Sequence, residues 1–363
     1  MIAISKPFIG EAEKQAVMEV LESGMLVQGP RTAMLEGKFA ALCGARHAIA
    51  TSSGTTALHL ALLAHGIGPG DEVITTPFTF IASINSIVYT GATPVFVDIE
   101  EDSFNINPAL IEAALTPRTK AIMPVHLYGN PCEMGPIVDL AKRHNLRIIE
   151  DAAQAIGARY MGRPIGSFGT GCFSLYATKN IMSGEGGMVT TDDDTVAHSC
   201  RMLRSHGMQR RYYHDVLGYN FRMTELHAAI GVAQLTRLQD FTDRRRANAA
   251  YLNAHLTSVI TPLRGANAGH VWHQYTIRVP HGSGAPATSA RDAAVERLNA
   301  AGIGTGIYYP VPANQQPHLR EMGLGDVSLP VAERLSHEVL SLPVHPQLSQ
   351  ADLECIVREV NAL

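Results

Sequence analysis

The sequence predicts an α/β protein with a largely parallel sheet and helices on both faces. Short apolar runs rich in Val and Ile alternate with longer helical segments through the first two-thirds of the chain, the pattern of repeated strand–helix–strand crossovers. With 363 residues the chain can bury a large core and divide into two lobes. A hydrophobic fraction of 46% against 17% charged residues excludes a disordered chain.

In chain order, Ala48-Ile49-Ala50 reads as a short strand, and Ala57 to Leu63 has helical character. Strands are then expected at Val73 to Thr76, Pro94 to Ile99, Ala121 to Leu127, Arg147 to Asp151, Cys172 to Tyr176 and Met188 to Thr191. Between them Ile81 to Tyr89, Pro108 to Leu115 and Met134 to His144 read as helices. Another spans Thr224 to Leu238, with Thr224 suited to cap it. A long charged helix near Asp240 to Leu256 marks the lobe boundary, giving a large domain over 1–240 and a small one over 241–363. The remainder reads as a strand near Gln274 to Val279, a loop at Pro280 to Ala287, a helix at Arg291 to Ala300, a strand around Ile307 and a helix from Ser349 to Asn361. The run Arg244-Arg245-Arg246 is read most simply as the wet face of a helix or a partner contact.

A formal charge of −4 argues against a general nucleic-acid binder. Five dispersed cysteines without a C-x-x-C pair suit a reducing cytoplasm. The start has no signal-peptide pattern, and no apolar run is long enough to span a bilayer. Sixteen histidines raise a metal site, but no His-Glu-x-x-His or tight Cys/His cluster occurs, so none is expected.

Three fragments carry chemistry. Phe173 to Asn180 followed by Gly184-Glu185-Gly186-Gly187 reads as a buried strand delivering Lys179 into a glycine-rich turn. Desolvation lowers a lysine pKa and makes the amine a nucleophile able to form a Schiff base, although a loop lysine is more often a solvated one. Arg147 to Asp151 is a strand ending in two acids. Asp151 there can pair with a protonated pyridine nitrogen, or simply cap a helix starting at Ala152. Thr51 to Thr56 opens a helix with hydroxyls and a glycine, an anion site in which Ser53 or Thr55 can also be a plain cap. A phosphate for the helix terminus, a ring nitrogen for the acid and an aldehyde for the lysine meet in one ligand, pyridoxal 5'-phosphate. Phe80 offers a face for its ring, or packs in the core.

These fragments, with Ser23-Gly24, Gln28-Gly29-Pro30, Gly70 to Ile74, Gly91 to Asp98, Glu150 to Gln154, Gly218 to Met223 and Leu340 to Pro343, resemble the DegT/StrS sugar aminotransferases nearly end to end. The resemblance implies the fold-type I architecture, a large lobe with a mostly parallel sheet of seven-stranded type and a smaller α+β C-terminal lobe, with the first residues packed back on the small lobe. It implies that Lys179 holds the cofactor and shuttles the proton, that Asp151 pairs with the ring nitrogen, and that Gln154 lies near the phenolic oxygen. Gly54, Thr55 and Ser174 would bind the phosphate, and Phe80 would stack on the ring. Asn220 would reach the phosphate of the neighbouring subunit, which makes a homodimer with shared sites. Tyr176 and Tyr309 are sugar-side candidates. Asn314 follows Tyr309-Pro310-Val311-Pro312 where relatives commonly carry histidine, with His318 at a different spacing, and Ala177 stands where some branches have proline.

The implied reaction moves an amino group, from glutamate by expectation, to a keto sugar that is nucleotide-linked and aminated at C3 or C4, by a ping-pong cycle. A free cyclitol ketone is the alternative acceptor. Lys179 argues against a dehydratase with histidine in its place. No suitably placed cysteine points to a desulfurase, and no helix-turn-helix or basic arm supports a DNA-binding regulator, leaving a non-catalytic regulator that binds the cofactor as the other alternative.

Overall fold

The computed structural model describes residues 1–262, 268–279 and 287–363. Its centre is a seven-stranded sheet of β1 (His47–Thr51), β2 (Glu72–Thr75), β3 (Thr93–Phe96), β4 (Thr119–Ile122), β5 (Arg147–Asp151), β6 (Thr170–Ser174) and β7 (Gly187–Thr191). Their order across the sheet is β1-β7-β6-β5-β4-β2-β3. The pairings β6-β5-β4-β2-β3 are parallel, and β7 runs antiparallel to both β6 and β1.

Strand periodicity explains why both faces are covered. Successive residues face opposite sides. Ile74, Ile122, Ile148, Phe173 and Met188 enter one apolar cluster, while their neighbours Val73, Ala121, Ile149, Cys172 and Val189 enter the other. Helices Pro30–Cys43 and Met134–Arg143 supply the first cluster and helices Gly54–Ala64 and Asp194–Arg204 the second.

A third cluster joins Ala249, Leu252, Trp272, Tyr275, Ile277, Leu298, Leu340, Leu342 and Ile356. It surrounds the antiparallel pair β8 (Tyr275–Arg278) and β9 (Val339–Leu342). Ile2 packs on this cluster and exchanges backbone bonds with Gly302 and Gly304, both 2.8 Å. Asp98, just past β3, accepts the Val331 and Ala332 amides and so caps helix Pro330–Glu338 from outside it.

Several boundaries differ from expectation for local reasons. β4 stops at Ile122 rather than Leu127, because Pro124 cannot donate to a ladder and a 3-10 turn follows at Leu127–Gly129. No strand forms at Ile307. Gly306 makes a single bridge to Ser341 before the chain turns into Pro310 and Pro312. No helix starts at Ala152, where the backbone runs in turns. Arg245 is not on a wet face: it is buried, donating to the carbonyls of Trp272 and His273, and burial lowers its pKa to about 10. Of the expected loop Pro280 to Ala287, residues 280–286 lie outside the described ones. Helix Gln350–Asn361, capped by Ser349, and helix Glu225–Leu235, capped by Thr224, lie where the pattern places them.

Glu225 gives this packing a test. Buried near the start of helix Pro30–Cys43, it accepts the amides of Gly29, Arg31 and Thr32 and the Thr32 hydroxyl, all within 2.8 Å. Desolvation raises its pKa, but these bonds outweigh it and hold the group below the ordinary 4.5. Glu225→Ala leaves several donors without their acceptor and is expected to cost about 2–4 kcal/mol in urea unfolding. Because the folded-state pKa is the lower one, this stabilisation is present above pH 4.5 and is lost as pH falls through the folded value, a slope that Glu225→Ala should remove.

Candidate active site

The carboxyl ends of β5 and β6 lie side by side, with Asp151 in register with Cys172. The two acids ending β5 face opposite ways. Glu150 is wholly buried and accepts the amides of Gly166, Phe168 and Gly169. His126, whose Nδ1 accepts the Cys132 amide, presents Nε2 to it at 3.3 Å. Asp151 lies on the other side, 5% exposed. Its Oδ1 accepts the Ala153 amide at 3.1 Å and its Oδ2 the Ser83 hydroxyl at 2.6 Å. With no helix behind it, the capping explanation for Asp151 falls away.

Lys179 enters from β6. The turn that carries it is closed by the Leu175 amide on the Gly186 carbonyl and the Ser183 amide on the Leu175 carbonyl, 2.8 and 2.7 Å. Gly186 has a φ of 155°, a conformation that residues with a side chain rarely adopt, which favours glycine in that turn. Burial lowers the Lys179 pKa from 10.5 to about 8, and the Asp151 carboxylate pulls it back up. Asn180 anchors the turn to the C-terminal part of the chain, with Nδ2 on the Val271 carbonyl at 2.9 Å and Oδ1 facing His273 Nδ1 at 3.2 Å.

Beside it lies the amino end of helix Gly54–Ala64. Ser53 is its cap, accepting the Thr56 amide at 3.1 Å. With the Ala57 amide taken by the Ser53 carbonyl, the Gly54 and Thr55 amides point beyond the helix. A Cβ on Gly54 would lie 2.8 Å from that of Ser174, so the glycine lets the helix terminus touch the end of β6. Ser174 Oγ accepts the Tyr176 amide at 3.3 Å. The Ser52 amide donates to Phe221, bringing the Gly218–Met223 segment to this loop. Its Asn220 is exposed and bridges Ser205.

Gln154 Oε1 accepts the Tyr128 amide at 2.7 Å, which turns its NH2 toward Tyr309 Oη at 3.3 Å. Phe80, 56% exposed, stands with its ring 6.2 Å from that of Tyr309. Tyr176 is exposed. Asn314 is wholly buried with its amide against the carbonyls of Gly325 and Val327, and its Oδ1 has no partner among the described residues. His318 sits on the surface, 3.0 Å from Asn85. Sequence reasoning misses Ser83 and the anchoring by Asn180. For Ser83 the one signal in the sequence is a second hydroxyl four residues after Thr79.

An amine with a depressed pKa, a buried carboxylate and a helix terminus with free amides form a donor set that suits pyridoxal phosphate. A cavity of about 610 Å³ lined by His65, Lys120 and Arg147 lies instead at the amino ends of the strands, away from Lys179. Among the described residues no group of His, Cys, Asp and Glu could hold a metal ion, and no helix is long and apolar enough to cross a membrane.

The model of the DegT/DnrJ/EryC1/StrS aminotransferase family matches residues 7–361. The chain belongs to that family. Its members are pyridoxal phosphate-dependent transaminases. The chain is 45% identical over 349 residues to the pleiotropic regulatory protein of Geobacillus stearothermophilus, covering 94% of this chain and 91% of the relative. It is 45% identical over 339 residues to the UDP-N-acetyl-3-dehydro-alpha-D-glucosamine 3-aminotransferase of Acidithiobacillus ferrooxidans, covering 92% and 89%. Among solved structures it resembles DesV of S. venezuelae in complex with a ketimine intermediate, with a TM-score of 0.91, 42% identity and coverage of 96% and 93%. The fold-type I architecture expected from the sequence is the one found.

The lowered pKa makes a direct prediction. A lysine titrating at about 8 is about one-tenth neutral at pH 7 and about nine-tenths at pH 9. The rate at which the cofactor-free protein takes up pyridoxal phosphate, followed by absorbance, should rise roughly tenfold across that interval and then level off. An ordinary lysine would give a rate still climbing at pH 10.

Proposed function

We propose that this protein transfers an amino group from an amino acid, with L-glutamate as donor, to a nucleotide-linked keto sugar at C3 or C4. The observation that carries the proposal is the depressed amine of Lys179 beside the buried carboxylate of Asp151 at neighbouring strand ends. The nucleotide sugar named for the Acidithiobacillus relative supports the acceptor class.

When bound, pyridoxal phosphate supplies an electron sink that stabilises negative charge on the carbon losing its proton. The residues do the rest. Lys179 Nζ would hold the cofactor through its aldehyde and would serve as the base that moves the proton. Asp151 would pair with the ring nitrogen. Gln154 would offer its NH2 to the phenolic oxygen, and Phe80 would cover the ring. Ser53, Gly54, Thr55 and Ser174 would cradle the phosphate at the helix terminus. Tyr176 and Tyr309 line the sugar side, with Asn314 behind Tyr309.

A homodimer is part of this reading, with Asn220 reaching the partner's phosphate site. Exposed Met18, Leu21, Val27, Tyr212 and Leu217, apolar and gathered in two segments, support such a partner. So is a division into two lobes near residue 240, supported by the separate apolar cluster of the C-terminal part. A cytoplasmic location belongs with it, in keeping with five free cysteines. The regulatory name of the Geobacillus relative favours a second reading, a cofactor-binding regulator without turnover.

One experiment separates them. The loaded protein is converted with L-glutamate, freed of excess donor and offered UDP-, dTDP- and GDP-linked 3-keto and 4-keto sugars, with products weighed by mass spectrometry. An amino sugar from one acceptor is expected, and none from Lys179→Ala at unchanged circular dichroism. Undiminished turnover by Lys179→Ala would sink the mechanism, and conversion of no acceptor would favour the regulator or a cyclitol substrate.

A further inference from the structure

Behind Asp151 lies a pair of hydroxyls that the reaction scheme above does not use. Helix Ile81–Tyr89 follows Phe80. Thr79, just before the helix, and Ser83, in its first turn, are both buried, 4% and 1% exposed. Ser83 Oγ stands 2.6 Å from Asp151 Oδ2, and Thr79 Oγ1 stands 2.8 Å from Ser83 Oγ.

The direction of these bonds follows from the carboxylate. The Ser83 hydroxyl donates its proton to Asp151 Oδ2, so the Ser83 oxygen is left to accept from Thr79. The order is Thr79 to Ser83 to Asp151. A helical serine or threonine ordinarily satisfies its hydroxyl on a carbonyl of the preceding turn. Ser86 does so on Ser83, and Thr90 on Ile87. Ser83 breaks that habit in favour of Asp151, at the short distance of a charge-assisted bond.

We propose that Ser83, oriented by Thr79, is a positioning residue that fixes the orientation of the Asp151 carboxyl group and so which lone pairs it offers to the ring nitrogen of the cofactor. With the Ala153 amide on Oδ1 and Ser83 on Oδ2, the carboxyl group cannot rotate without losing both bonds. This deepens the functional reading above and rests on its assignment of Asp151. Taking away the Ser83 donor leaves the carboxyl group held only through Oδ1 and free to rotate away from the ring nitrogen. A misaligned carboxylate would hold the ring-nitrogen proton less firmly, less charge would be drawn from Lys179 Nζ, and the proton there would leave at higher pH.

The test uses the protein loaded with pyridoxal phosphate and needs no substrate. Its near-visible absorbance is titrated with pH, and cofactor retention is followed during dialysis, for Ser83→Ala, Ser83→Cys, Ser83→Thr and Thr79→Val, with Asp151→Asn as control. Ser83→Ala and Ser83→Cys should raise the titration midpoint by about half a pH unit or more and speed cofactor loss roughly tenfold. Thr79→Val should shift both the same way by less, and Ser83→Thr, which keeps the hydroxyl, should restore them. Cysteine keeps the size of serine and Val that of Thr, so the test stands even where Ser83→Ala fails to fold. If Asp151→Asn alters midpoint and retention while Ser83→Cys and Thr79→Val leave both unchanged, the proposal is overturned and the assignment of Asp151 survives. If Asp151→Asn itself changes neither, the assignment of Asp151 falls and the proposal falls with it.

Discussion

Lys179 and Asp151 are taken out of water together, and the rest of the site depends on how those two costs offset. Burial alone drives the lysine toward its neutral form, and a carboxylate in direct contact would restore the charge completely. The balance found here, an amine poised near neutrality and a carboxylate bonded by other donors, needs a fixed spacing between them. The sheet supplies it. Asp151 ends one strand, its neighbour in register begins the approach to the lysine turn, and two backbone bonds close that turn.

Close backbone approach makes the arrangement compact enough for one ligand. Gly54 lets a helix terminus meet Ser174, and Gly187 lies where a side chain would collide with the Ser53 carbonyl. The C-terminal part is fastened to the same region through separate contacts. Asp98 caps helix Pro330–Glu338, Asn180 holds the Val271–His273 segment, and Arg278 pairs with both Glu101 and Glu338. The chain ends of the site are therefore positioned by rigid elements, with loops only covering them.

The sheet was legible because alternate residues of each strand enter different apolar clusters, which demands unbroken runs such as Val73-Ile74 and Ile148-Ile149. Strand ends were less so, since Val125 looks as apolar as Ile122 and only Pro124 between them stops the ladder. Local pattern misled where a long-range partner decides. Arg245 sits among arginines of a charged helix yet turns inward to two carbonyls 27 and 28 residues away. Asp151 looks like a cap until its real donor appears 68 residues upstream in Ser83. The lysine, the acid and the glycine-opened helix were readable as three fragments. Their meeting in one place was suggested by the chemistry of a single ligand and by family resemblance, because no spacing along the chain encodes it.

The central claim is that Lys179, and no other lysine, is the amine that takes the cofactor. Loading the protein with pyridoxal phosphate, reducing it with borohydride and mapping the modified peptide by mass spectrometry tests this directly. The account predicts one phosphopyridoxyl group per chain, on the peptide carrying Lys179. A label on Lys6, Lys120 or Lys142, or spread among surface lysines, would contradict it.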